Sequence, residues 1–290
     1  MDAVAGSGAH RFSGCPLDVP SLTYLTGSST SSFAVAWKLL EDGLLPEWGA
    51  VLCSRQTEGR GQLRRAWHSP RGNLYVSFRL PDAPVLKGDA ASLVVGWLLV
   101  QAFRTLGFPI TLKWPNDLML NEQGKAGGML LEEKNGVILA GLGVNLAEAP
   151  SAGLLRKDHA MPAAILFPNQ PEEASGEPHQ PDDGAPSMER RAGTPCGSDE
   201  PLAPFPLWRL LVSQVILEYS RSVAGNALSD LLGRMDEVLA WKDREVILKE
   251  GDGTALSGRF LGLGPGGGLL LRTGHDERRE LFSGSLSLAH

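Results

Sequence analysis

The chain has 290 residues, is 42% hydrophobic and carries a net charge of −6. That length permits a substantial core in one large domain, or in a large and a small one. The acidic balance argues against a general nucleic-acid binder, which needs a basic face. Three widely spaced cysteines (Cys15, Cys53 and Cys196) argue against a disulfide framework or a zinc site, and fit a reduced, cytoplasmic protein.

Residues 1–20 are small, polar and rich in proline and glycine, which predicts a flexible tail without the basic and apolar regions of a signal peptide. Residues 22–25 read as a first strand. The Ser/Thr-rich segment 27–32 reads as a turn with N-cap candidates for a helix over 33–40, which Gly43 ends. A buried strand is expected over 50–54, then a basic Gly/Arg segment, then a strand over 73–80 with two-residue alternation. The stretch 90–103 is the most apolar of the chain. It is too short to cross a bilayer, so a buried helix over 90–106 is expected and no membrane partner. Residues 110–114 form the next strand, and Pro115 bars its continuation in a central position. Residues 129–134 and 137–142 pair around Asn135-Gly136, a strong hairpin signal.

The character then changes. Residues 168–206 hold nine of the twenty prolines, many acidic residues and few apolar ones. That composition predicts a disordered insertion, with an ordered long loop as the alternative. Helices are expected over 207–223 and 228–239. Short strands over 245–249, 255–262, 269–272 and 280–288 then predict a small, barrel-like β domain.

Between residues 55 and 71 five arginines face one glutamate. Gly59 and Gly61 allow the backbone to approach a ligand, and arginine forks suit phosphate, so the segment reads either as an anion-covering loop or as a solvated basic loop. Lys113 lies on the strand face opposite Ile110, Leu112 and Trp114, at the strand end beside Pro115-Asn116-Asp117. It is either a fixed charge at a site or a surface lysine before a turn. Lys125 precedes Gly127-Gly128, and Asn145 follows Gly141-Leu142-Gly143. Ser29, Thr30 and Ser31 are ligand donors or only a helix cap. No histidine has a metal-ligand partner at strand or helix spacing.

Taken in order, these segments resemble the biotin–protein ligase family: Ser29-Thr30-Ser31, Gln56 with Gly59-Arg60-Gly61, residues 67–77, Lys113-Trp114-Pro115-Asn116-Asp117, residues 125–132 and residues 141–146. The resemblance is strong over residues 22–147 and weak over the C-terminal part. It implies an α+β fold, a mixed sheet backed by helices, with a small SH3-like β-barrel domain. Residues 21–240 would form the catalytic domain and 241–290 the β domain. The family joins biotin to AMP with ATP and Mg2+, then passes biotin to a lysine of a biotin carboxyl carrier protein or domain. By position, the resemblance implies Lys113 and Arg60 as catalytic residues. It implies Ser29, Thr30, Ser31, Gln56, Arg60, Gly61, Gln62, Lys125, Gly127 and Gly128 at biotin. Gly59, Arg65, Trp67, Asn116, Asp117 and Asn145 fall at ATP or the adenylate, with Asp117 also a candidate Mg2+ ligand.

Two departures stand out. Gln62 and Arg64 replace an arginine and a glycine of the family's Gly-Arg-Gly-Arg-x-Gly-Arg, and Ser31 stands where the family often has asparagine. Gln62 supplies no charge, so weaker retention of biotinyl-AMP is expected. Only about twenty residues precede the first strand, which argues against an N-terminal helix-turn-helix domain and a DNA partner. A lipoate or octanoate ligase or transferase, and a non-catalytic biotin binder, are the competing readings. A homodimer through sheet edges is one arrangement the family allows.

Overall fold

The structure, a computed structural model, describes residues 21–62, 65–122, 124–150, 161–167, 204–251, 253–274 and 277–289. The expected N-terminal tail, Arg64 and residues 168–203 of the expected insertion lie outside them.

The first nine elements build one sheet: β1 (Thr23–Ser29), α1 (Ser32–Glu41), β2 (Ala50–Gln56), β3 (Leu74–Arg79), α2 (Ala91–Thr105), β4 (Ile110–Lys113), β5 (Asp117–Leu120), β6 (Gly124–Lys134) and β7 (Val137–Val144). The strand order is β1-β2-β3-β7-β6-β5-β4, with β1 and β2 parallel and every other pair antiparallel. The first half of the segment 27–32 is therefore strand, because β1 runs on beside β2 as far as Ser29, opposite Gln56. Ser31 caps α1 by accepting a hydrogen bond from the Ala34 amide at 3.1 Å. The β6–β7 hairpin turns at Asn135 and Gly136, both at positive φ (52° and 76°), as the Asn-Gly pair dictates.

Helices cover both faces of the sheet. α1 packs Phe33, Ala36 and Trp37 against Val51, Cys53, Tyr75 and Leu139. On the other face α2 and α3 (Pro204–Glu218) bury Trp97, Leu98 and Trp208 with Leu52, Val76 and Phe78. This explains why β3 is buried from Leu74 to Phe78 and does not alternate between core and solvent: its two-residue period selects which helical layer a side chain meets. α3 begins at Pro204, inside the stretch expected to be disordered, because Phe205, Leu207 and Trp208 supply an apolar stripe. A π-helical turn over Tyr219–Val223 ends it, and α4 (Leu228–Asp236) follows.

The C-terminal strands are β8 (Glu245–Lys249), β9 (Ala255–Leu263), β10 (Leu269–Arg272), β11 (Arg278–Leu281) and β12 (Ser285–Leu288). They form a separate antiparallel sheet ordered β11-β10-β9-β8-β12, so the last strand lies beside the first. The single strand expected over 280–288 is two, broken before Gly284 at φ 140°. This sheet is tied to the larger one. The Leu112 amide donates to the Val238 carbonyl (2.8 Å) and the Ala240 amide to the Leu112 carbonyl (2.9 Å), while Val246, Phe260 and Leu286 share a core with α2. No helix among the described residues is long and apolar enough to cross a membrane.

Candidate functional site

A cleft of about 990 Å³ opens over the end of β2 and across β6 and β7. Its floor is apolar (Phe33, Met129, Leu130, Leu142) and narrow in backbone, because Gly141 and Gly143 carry no Cβ. A Cβ on Gly141 would enter the Phe33 ring, and one on Gly143 would lie 2.7 Å from Trp67 Nε1. The two glycines thus let aromatic rings sit directly on β7.

At one end stands an array of three charges. β4 and β5 form a hairpin that places Lys113 opposite Asp117 across the Trp114-Pro115-Asn116 turn, whose Trp114–Pro115 peptide is cis. Lys113 Nζ donates to Asp117 Oδ2 at 3.0 Å, and Lys125 Nζ lies 2.5 Å from Asp117 Oδ1. Each carboxylate oxygen therefore has its own ammonium. Burial pushes the Asp117 carboxyl up, but Lys125 and Lys113 more than reverse this and hold it below its ordinary value of 3.8. Each lysine also stands over an indole, Lys113 over Trp241 (5.4 Å) and Lys125 over Trp67 (5.1 Å). Lys113 is thus buried, with a side chain 7% exposed, and is not a surface lysine before a turn. The array's net charge of +1 faces the cleft.

The basic segment is a short hairpin over the cleft. Arg60 bridges to Ala66, the Gly61 amide donates to the Arg65 carbonyl (2.8 Å), and the Trp67 amide donates to the Gly59 carbonyl (2.8 Å). Arg55, Arg60, Gln62, Arg65 and Arg71 all line the cleft, so its mouth is cationic. Trp67 Nε1 is buried without a hydrogen-bond partner. Asn116 and Asn145 are buried and hold the opposite wall. Asn116 Nδ2 donates to the Met129 carbonyl (2.5 Å), and Asn145 Nδ2 donates to that of Ala164 (3.2 Å).

Of the residues singled out from sequence, Ser31, Gln56, Arg60, Gly61, Gln62, Arg65, Trp67, Lys113, Asn116, Asp117, Lys125, Gly128 and Asn145 converge on this one cleft. Ser29, Thr30, Gly59 and Gly127 lie behind its lining. The carbonyls of Ser29 and Thr30 accept the amides of Thr57 and Glu58. Gly59 is packed under Ser69 and Trp67, and Gly127 under the Gly143 carbonyl. These four shape the wall from outside. Asp117 does not fit a resident Mg2+ ion: both of its oxygens face ammonium groups, and a dication there would meet two positive charges. Nor do the described residues contain a group of three or more histidine, cysteine or acidic side chains able to hold a metal. Sequence reasoning missed Ser32, Ser69, Asn73 and the Gly284–Leu286 stretch. Asn73 is legible in hindsight as a polar residue opening a buried strand. Its Oδ1 accepts the amides of Leu146, Ala147 and Glu148 (2.9, 3.0 and 3.1 Å), which fixes the chain just after β7. Residues 284–286 line the cleft only through the tertiary placement of β12.

A ligand for this cleft is apolar along one side and anionic where it meets the lysines and the hairpin. Residues 23–147 match the Biotin/lipoate A/B protein ligase family. The chain is 35% identical over 124 residues to the biotin--[acetyl-CoA-carboxylase] ligase of Paracoccus denitrificans, covering 40% of this chain and 51% of that protein. It is 39% identical over 114 residues to the bifunctional ligase/repressor BirA of Escherichia coli, covering 36% and 35%. The matched stretches therefore span between about a third and a half of these curated relatives. Over nearly the whole chain the fold is that of the biotin protein ligase of Aquifex aeolicus solved in complex with biotin and ATP, with a TM-score of 0.66 at 21% identity, covering 93% of this chain and 99% of that one.

Proposed function

We propose that this protein joins biotin to AMP at the expense of ATP and transfers the biotinyl group to a lysine of a biotin carboxyl carrier protein or domain. The observation that carries the reading is the Lys113–Asp117–Lys125 array at one end of an apolar-floored cleft, under a cationic hairpin. Residues 21–240 act as the catalytic unit, and 241–290 as a C-terminal unit that completes the cleft wall.

The chemistry follows from charge. A biotin carboxylate oxygen attacks the α-phosphorus of ATP, the new O–P bond forms and pyrophosphate leaves. Two anions must approach; at about 4 Å their repulsion is ~1 kcal/mol in water and ~4 kcal/mol near an effective dielectric of about 20. The array is built before substrate arrives, so its charge costs no reorganisation and acts where negative charge gathers. The carrier lysine's amine then attacks the acyl carbon of the mixed anhydride, forming the amide and releasing AMP. The hairpin over the cleft shields that anhydride from water between the steps. Relatives named biotin--[acetyl-CoA-carboxylase] ligase support a carboxylase carrier as acceptor. Exchange of labelled pyrophosphate into ATP tests the first step: exchange that depends on biotin is expected, and exchange absent with biotin, or driven equally by lipoate or octanoate, would overturn the proposal.

A further inference from the structure

From the wall of the cleft into the core behind it runs a line of polar side chains that the chemistry above leaves unused. Ser32, Ser69 and Ser77 are buried, and with Gln56 they form a single line of hydrogen bonds. Gln56 Oε1 accepts from the Ser32 amide (2.8 Å) and from Ser32 Oγ (3.2 Å). Ser32 Oγ and Ser77 Oγ are 2.7 Å apart. Gln56 Nε2 donates to Ser69 Oγ (3.2 Å), which donates to the Trp67 carbonyl (3.0 Å).

The direction of every bond in this line is fixed. A backbone amide only donates, so the Gln56 oxygen must face Ser32 and its nitrogen must face Ser69. Ser32 spends its one proton on Gln56, so Ser77 must donate to Ser32. The reverse would leave the Ser77 proton without a partner in a fully buried site. The order is Ser77 to Ser32 to Gln56 to Ser69 to the Trp67 carbonyl. Both acceptor positions of Gln56 are filled, and one Nε2–H remains for the cleft it lines. The line also joins four parts of the fold: β3 (Ser77), the first residue of α1 (Ser32), the end of β2 (Gln56) and the exit of the cationic hairpin (Trp67).

We infer that Ser77, Ser32 and Ser69 are positioning residues: acting through Gln56, they fix which face its amide shows to the ligand and pin the hairpin exit to the sheet. This rests on the biotin reading for the ligand, but not for the hairpin. Ser77 does not line the cleft, so its effect must travel along the line.

The test is a double-mutant cycle of Ser77→Ala and Ser69→Ala in the full chain. Biotin affinity is read by calorimetry, KM values by pyrophosphate exchange, and the hairpin by the rate of tryptic cleavage after Arg60 and Arg65. Losing one hydrogen bond predicts a rise of about 2- to 10-fold in biotin Kd and KM, with the ATP KM unchanged. Cleavage of the hairpin should accelerate in both single variants. In the double variant the effects should be no larger than in the stronger single one, because either change breaks the same line. Fully additive effects would mean independent sites and would overturn the inference, as would wild-type cleavage and biotin affinity in Ser77→Ala. If the unaltered chain fails to bind biotin, the functional proposal falls, and the cleavage cycle still decides whether the line pins the hairpin.

Discussion

Replacing Lys113 with methionine removes one charge from the array while keeping an unbranched, apolar stem in the space beside Trp241. The array then falls from +1 to zero, since Lys125 still neutralises Asp117. At 3.0 Å a single charge pair is worth ~5.5 kcal/mol at an effective dielectric of about 20. That is a ceiling, because Asp117 already engages much of the Lys113 field. A preorganised group facing developing negative charge contributes ~3–4 kcal/mol, which at ~1.4 kcal/mol per decade is a fall of about 10²–10³ in the rate of adenylation. Folding should suffer much less, because Asp117 keeps one ammonium partner and the removed side chain leaves no cavity. Biotin-dependent pyrophosphate exchange measures the first quantity, and thermal unfolding with circular dichroism the second. Exchange within threefold of wild type would refute the argument that the array's net charge drives the step, and so would a loss of activity that merely follows loss of fold.

Asp117→Asn should lower Tm at neutral pH, because two buried ammonium groups then lose their counter-charge. The sign with pH follows from the depressed carboxyl. The stability it gives is fully present above its unfolded value near 3.8 and is lost as pH falls through the lower folded value. The gap in Tm between wild type and Asp117→Asn should thus narrow below about pH 3.8, and a constant gap would count against it. Spectroscopic titration of this variant with Mn2+ in the absence of nucleotide should match wild type, since both Asp117 oxygens face ammonium groups. Gly143→Ala would place a Cβ 2.7 Å from Trp67 Nε1. Overpacking of this kind costs ~1–3 kcal/mol, so a lower Tm and a raised ATP KM are expected, and unchanged values would show that Trp67 is free to move. Gln62→Arg adds a cation to the hairpin over the cleft and should slow release of biotinyl-AMP in a washout assay; an off-rate unchanged or faster would contradict it.

Much of this was legible because local chemistry and fold agreed. The Asn135-Gly136 turn, Ser31 as a cap, and the lysines and glycines of the cleft follow from what each residue does best. The paired helical layers, by contrast, erase the exposure pattern of β3, so alternation there says nothing about solvent. The array could not be read from Lys113 alone: its burial comes from residues 238–240 pairing with Leu112 and from Trp241, more than a hundred positions away. Asp117 was a candidate Mg2+ ligand only by its position in the family resemblance. Only the approach of Lys125 across the β5–β6 register shows that its oxygens are taken. The serine line was invisible for a related reason, since Ser32, Ser69 and Ser77 lie on three separate segments and carry no motif spacing.

The central claim is tested most directly by supplying the chain with ATP, Mg2+ and labelled biotin together with either an isolated biotin carboxyl carrier domain or a lipoyl domain, and weighing each acceptor by mass spectrometry. A gain of one biotinyl group on the carrier domain's lysine, abolished in a carrier Lys→Arg variant and absent from the lipoyl domain, is the predicted result. An unmodified carrier domain, or a lipoyl domain acylated equally well, would contradict it.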